Sequence, residues 1–259
     1  MIHSQAPITL MRAEGIQKTF SVRGRPVAAV KDADLLIGEG EVLGLVGESG
    51  SGKSTLGKII AGLLAPDAGH LWYEGQPFDE MDAQRKKKFR REVQVVFQNP
   101  LHSLNPRMTV GSTLSEPFLI HKDTSVQGPR KEAARLLEQV GLPARYMSRF
   151  PVELSGGERQ RVSIARAIAL KPKLIILDEA VSSLDVLVRA GILNLLLDLH
   201  LRHRLSYLFI SHDLRVVRHI CDRICVMSAG RIVESGPTEI TLKNPQDAYT
   251  QSLIQSSGL

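Results

Sequence analysis

The sequence predicts an α/β fold with a mainly parallel core sheet, an N-terminal antiparallel β region and an inserted helical subdomain. Three observations carry this. Short runs rich in Val, Ile and Leu alternate with longer segments of helical period. Residues 8–37 instead alternate loosely around Gly24, Arg25 and Pro26, as an antiparallel ribbon does. From Val110 to Leu170 helical stretches and turns follow one another with no convincing strand.

Taken in order, the ribbon at 8–37 leads into a core made of residues 38–109 and 171–230. Its buried strands are expected at Val42 to Val46, Val93 to Phe97, Leu174 to Leu177 and Tyr207 to Ile210. Each run is too short for a helix and ends on polar or glycine residues. Open α/β sheets place ligands at those carboxyl ends. The helical subdomain fills 110–170, and 231–259 reads as a small hairpin followed by a short helix ending near Leu253. The basic run from Arg85 to Arg91 is read as a solvated helix face ahead of a strand. It has no interleaved aromatics on which bases could stack, so no nucleic-acid partner is expected.

Composition narrows the class without choosing a partner. At 259 residues, 43% hydrophobic, the chain can bury one large core, so a single domain spanning 1–259 is expected. A net charge of +6 and a pI near 9.4 fit a phosphate ligand, anionic lipid or nucleic acid equally. The only cysteines, Cys221 and Cys225, are too few for a disulfide framework or a closed metal site and are read as packing residues at a helix end. The start MIHSQAPITLMRAEG lacks the features of a signal peptide, and no apolar run reaches the length of a membrane span, so a cytoplasmic chain is expected.

The strongest chemical signal is GESGSGKST, comprising Gly47, Glu48, Ser49, Gly50, Ser51, Gly52, Lys53, Ser54 and Thr55, between a predicted strand and a helix. Its glycines let backbone N–H groups curl around phosphate oxygens, and the helix N-terminus adds a favourable dipole. Lys53 is expected at the terminal phosphates and the Ser54 hydroxyl at Mg²⁺. In LIILDEAVSSLD an apolar strand runs into two carboxylates. Asp178 is expected to serve Mg²⁺, and Glu179 to polarise the attacking water as general base. In LSGGERQRVSIARA, Ser155 can cap a helix, Gly156 and Gly157 expose bare N–H groups, and Val162, Ala165 and Ala169 form an apolar stripe.

Together these strings resemble those of the ABC-type ATPases, P-loop NTPases, over nearly the whole chain and in the right order. LSGGERQR resembles their signature motif, Gln98 the Q-loop glutamine, His212 the switch histidine and Ser183-Leu184-Asp185 the D-loop. Phe20 is the candidate for the aromatic that stacks on adenine. The resemblance implies ATP and Mg²⁺ as cofactors, with Ser54, Gln98 and Asp178 at the metal and Glu179, Gln98 and His212 in catalysis. It implies a second ATPase subunit paired head to tail, so that ATP lies between one phosphate loop and the other subunit's LSGG. A two-subunit membrane permease, a substrate-binding protein and a place on the cytoplasmic face of the inner membrane follow from the same resemblance.

Within the family, the stretch FQNPLHSLNPRMTVGSTLSEPF and the tail NPQDAYTQSLI resemble the peptide and nickel importer group. The lack of a C-terminal cysteine cluster fits the shorter of that group's two ATPase subunits. DEAVS, with Ala180-Val181 where most relatives have Pro-Thr, resembles the nickel-type (E-type) subunit more than the oligopeptide type. The expectation is therefore an ATPase powering uptake of nickel or a metal chelate, with a dipeptide or oligopeptide importer as the alternative. A soluble ABC ATPase and a non-hydrolysing ATP-binding partner remain open. The stretch Asn99 to Glu116 is expected to meet the permease.

Overall fold

The computed structural model describes residues 8–98, 103–122 and 128–258. The chain forms two compact units, one running to Phe89 and resuming at Arg204, the other Arg90–His203.

In the first unit, strands β1 (Thr9–Val22), β2 (Arg25–Gly38), β4 (Ala68–Tyr73) and β5 (Gln76–Pro77) form an antiparallel sheet in the order β2-β1-β4-β5. Arg23 and Gly24 carry φ of 51° and 76°, and Val22 pairs with Arg25. Two left-handed residues make the tight hairpin turn whose twist matches that of the flanking strands. Ala33, Leu35 and Ile37 are buried at alternate positions, whereas Phe20, Val22 and Val27 near the hairpin tip are exposed. The sheet is larger than the ribbon expected at 8–37. Residues 68–77, assigned by sequence to the core, add β4 and β5 to it, because their burial alternates in the way of a half-wet antiparallel strand.

A second set of strands holds the centre of this unit. Strand β3 (Val42–Val46) is parallel to both β8 (Ser206–Ser211) and β9 (Arg223–Ser228), while β10 (Arg231–Pro237) returns antiparallel to β9. All five residues of β3 are buried, as a strand flanked and covered on both sides requires. Helix α1 (Lys53–Ile60) follows β3, and α7 (Leu214–Ile220) follows β8.

Three expectations are corrected here. The terminal hairpin begins earlier than residue 231, since β10 pairs with β9 through Ala229 and Gly230, at φ 46° and 88°. It leads to two helices, α8 (Thr238–Lys243) and α9 (Ala248–Ser257), where one was expected. Asn244 precedes Pro245 and leaves the helical region, and Asp247 then caps α9 by accepting from Tyr249 N at 2.8 Å. Cys221 does cap the end of α7, but Cys225 lies inside β9 beside Ser235 Oγ, at 3.3 Å. Burial pushes both thiols above the usual range, which keeps them protonated and unreactive.

In the second unit, β6 (Val93–Val96) runs parallel to β7 (Leu174–Asp178). Helices α3 (Val110–Ile120) and α4 (Pro129–Gln139), 3₁₀ turns at Ala144–Ser148 and Pro151–Glu153, α5 (Gly156–Ile168) and α6 (Val186–His203) complete it. Val162, Ala165 and Ala169 are buried as the apolar stripe of α5 predicts. The unit is wider than the subdomain expected at 110–170, because α5 packs on β6 and α6 as well as on α3 and α4.

The basic run lies on α2 (Ala83–Glu92), inside which the two units divide. Phe89 is its buried side chain, edge-on to Tyr73 at 5.1 Å between ring centroids, and Lys87, Lys88 and Arg90 are exposed. Among the described residues no helix is long and apolar enough to cross a membrane.

Candidate functional site

The phosphate loop joins β3 to α1. Gly47 and Gly52 hold φ of 149° and 108°, and a Cβ would stand 2.1 Å from Met227 O at the first and 2.2 Å from Ala29 O at the second. Only glycine lets the loop lie this close to β9 and β2. Above that floor Glu48, Ser49 and Gly50 form an exposed arch. Lys53 is 4% exposed, and its Nζ donates to Gly47 O (2.8 Å), Glu48 O (2.7 Å) and Ser51 Oγ (3.2 Å). The ammonium is thus drawn under the arch by the loop's own oxygens. Ser54 and Thr55 sit half-buried in the first turn of α1, where the helix dipole favours an anion.

The same unit carries two further candidates. His212 is exposed in the turn between β8 and α7. Asp213 fixes that turn: its N–H donates to Ser211 Oγ at 3.0 Å and its carboxylate caps α7 through Arg215 N at 3.0 Å. Phe20 is 38% exposed near the tip of the β1–β2 hairpin, with Lys18 Nζ 5.9 Å from its ring centroid. An exposed ring face is what stacking on a base needs.

The acids belong to the second unit. Asp178 is the last residue of β7, one beyond the strand end expected from sequence, and Glu179 follows at φ 48°. A left-handed non-glycine residue at a strand end is a strained arrangement. Gln98 Nε2 donates to Glu179 Oε2 at 2.9 Å. The parallel register explains the pairing: Val96 faces Leu177, so Gln98 and Glu179 stand two residues past matched positions. A glutamine amide has one donor end and one acceptor end. Its donor engages the carboxylate, so its carbonyl is the end suited to a cation.

The signature segment is built in the same unit. Ser155 caps α5 by accepting from Glu158 N at 3.3 Å, and Glu158 Oε2 accepts from Ser155 N at 2.7 Å, a reciprocal box. The Tyr146 hydroxyl donates to Glu158 Oε1 at 2.5 Å. That bond first, and the Ser155 N–H second, hold the Glu158 carboxyl below its ordinary range, so the cap persists in mild acid. Asp185 spends its carboxylate on α6, accepting from Val188 N at 3.0 Å. Arg189 ties down the D-loop with a bond to Leu184 O at 3.1 Å.

Gly157 lies where α5 meets α6: a Cβ there would be 2.4 Å from Val188 Cγ1. Gly157→Ala is expected to destabilise the protein by about 1–2 kcal/mol, because overpacking of 1–3 kcal/mol outweighs a helix-propensity gain of up to about 1 kcal/mol. Chemical denaturation checks this, and adding Val188→Ala should recover part of the loss if the clash is the cause.

Each candidate residue therefore has a described place. Phe20, residues 47–55 and His212 lie in the first unit; Gln98, Ser155, Gly156, Gly157, Asp178, Glu179 and Asp185 lie in the second. The stretch expected to face the permease begins at Asn99, and residues 99–102 lie outside the described residues.

The family model described as "ABC transporter" matches residues 30–182, more than half of the chain. The chain belongs to the ABC transporter family. This ABC ATPase cassette is 44% identical over 254 residues to the dipeptide transport ATP-binding protein DppF of Haemophilus influenzae, covering 96% of the chain and 78% of that protein. It is 45% identical over 252 residues to the glutathione import ATP-binding protein GsiA of Salmonella paratyphi A, covering 95% of the chain and 40% of that longer protein. A dimeric post-hydrolysis structure of the ATP-binding cassette MJ0796 bound to ADP and Pi matches with a TM-score of 0.80 at 30% identity, covering 88% of this chain and 99% of that one. The cassette fold expected from sequence is therefore correct. The expectation of nickel is not supported: these relatives are named for dipeptide and glutathione, and peptide import is the better fit.

Sequence reasoning missed two features of the site. The direct Gln98–Glu179 bond depends on which strands are neighbours, which local pattern does not reveal. Ala180 and Val181, read only for their bearing on cargo, are each 3% exposed. Two adjacent apolar residues after a charged pair were the signal that they pack inward.

Proposed function

We propose that this ABC ATPase is the ATP-hydrolysing subunit of a bacterial importer for dipeptides or other short peptides. One observation carries the choice of cargo: identity of 44–45% across 95–96% of the chain to proteins named for dipeptide and glutathione import. The proposed partners are a two-subunit membrane permease, met by this ATPase on the cytoplasmic face of the inner membrane, a substrate-binding protein acting through it, and a second ATPase subunit. That second subunit would pair head to tail and receive the capped N-terminus of α5 at its nucleotide.

The residue roles follow from chemistry. The arch of Glu48 to Gly50 and the first turn of α1 offer N–H groups to phosphate oxygens, and Lys53 exchanges loop oxygens for phosphate oxygens of like geometry. Glu179 accepts a proton from water at the strand end, held in orientation by Gln98. His212 contacts the γ-phosphate from a turn that its neighbour Asp213 fixes. Ser54, Asp178 and the Gln98 carbonyl are hard oxygen donors of the kind Mg²⁺ prefers, and the ion would neutralise phosphate charge. The buried pair Ala180-Val181 supplies none of the polar groups this chemistry uses.

The test is uptake of a labelled dipeptide and of labelled nickel in a strain lacking the gene, with and without its return. Loss of dipeptide uptake with nickel uptake intact is expected. Loss of nickel uptake alone would overturn the peptide reading, and loss of neither would remove both cargoes.

A further inference from the structure

We infer that Tyr249, on the C-terminal helix α9, is a positioning residue for the phosphate loop. It would hold one peptide plane of that loop in the orientation that binds nucleotide. The inference rests on the reading of Gly47 to Thr55 as the phosphate site and adds a distant element to it.

The observation is a hydrogen bond spanning 201 residues of chain: Glu48 N donates to the Tyr249 hydroxyl at 3.0 Å. Glu48 N–H and Gly47 C=O belong to one planar peptide unit, and in the trans form they point in opposite directions. Gly47 O accepts from Lys53 Nζ at 2.8 Å. The same plane is therefore gripped at both ends, by Lys53 under the arch and by Tyr249 on the opposite side. Gly47, at φ 149°, is one of the loop's conformationally permissive glycines, so this peptide plane is able to flip. A flip would turn an N–H toward the ammonium and remove one oxygen holding Lys53 in place. Tyr249 opposes that flip.

Helix α9 is braced well enough for the task. Its N-terminus is fixed by Asp247, and the preceding turn by Glu234 on β10, which accepts from Gln246 N at 2.9 Å and Asp247 N at 3.2 Å. Thr250 and Leu253 are buried beneath it. At its far end Ser257 O accepts from Arg215 Nη2 at 3.0 Å. Arg215 stands in the first turn of α7, three residues after His212. One short helix thus reaches the phosphate loop with its first turn and the His212 turn with its last.

The test is ATP affinity of the purified full-length chain, measured by equilibrium titration, beside kcat at saturating ATP and the Tm. Tyr249→Phe keeps the ring and loses the acceptor. It is expected to weaken ATP binding about three- to tenfold, the worth of one neutral hydrogen bond, while kcat and Tm stay close to wild type. Tyr249→Ala should weaken binding at least as much and also lower the Tm. Wild-type affinity in Tyr249→Phe would overturn the inference, as would a kcat that falls in step with Tm while affinity holds. If the unmodified chain itself fails to bind ATP, the reading of the loop fails with it; ATP binding that is tight in both wild type and Tyr249→Phe removes Tyr249 alone.

Discussion

Replacing Glu179 by Gln is expected to lower ATP turnover in the assembled transporter by about 100- to 10,000-fold, the usual worth of a positioned general base, while ATP still binds. The two side chains have nearly the same shape, and an amide oxygen at this position can still accept from Gln98 Nε2, now 2.9 Å from Glu179 Oε2. The backbone turns at φ 48° directly after β7 and ahead of the buried Ala180-Val181 pair, and the substitution leaves those neighbours in place. What disappears is the basic oxygen that takes the proton from water. The groups proposed to grip phosphate, in residues 47–55, are untouched. The paired cassettes should therefore accumulate with ATP bound. Single-turnover hydrolysis and nucleotide occupancy, measured on the same preparation, separate the two effects. Unchanged hydrolysis would remove Glu179 from its role.

The site was more legible in the sequence than its wiring. Val42–Val46 was found as a strand at its true bounds, because a strand covered on both faces is a continuous apolar run. The same criterion passes over Ala68–Tyr73, which is half-wet and carries Gly69 and His70, and over Arg223–Ser228, which opens on a charge and whose Cys225 was read as lying at a helix end. Motif residues were legible because the chemistry demands particular side chains at particular spacings. Contacts between distant motifs were not. The Gln98–Glu179 bond needs the β6–β7 register, and the Glu48–Tyr249 bond needs a helix 201 residues away to fold back on the loop. Ala180-Val181 teaches the converse: it was read for what it said about cargo, whereas at 3% exposure each it reports burial. The proposed cargo rests instead on whole-chain identity.

Lys53→Met should have the largest effect on binding, and it should separate cleanly from loss of Glu179. Methionine fills most of the volume of the lysine stem, so apolar packing under the loop is largely kept. The ammonium is lost, and with it three bonds, to Gly47 O, Glu48 O and Ser51 Oγ, at a site only 4% exposed. Charge-assisted bonds contribute about 1.5–3 kcal/mol each, and the phosphate loses its cation at the same time. ATP affinity should fall by about 100-fold or more, with a modest drop in Tm from the loop oxygens left without their donor. Lys53→Arg is not expected to restore binding. A guanidinium is a flat fork, whereas the three oxygens sit 2.7–3.2 Å around one compact point charge. Equilibrium ATP titration of the two variants decides the matter. If Lys53→Arg bound ATP normally, simple charge at this position would suffice, and the enclosing geometry of the loop would carry no part of the affinity.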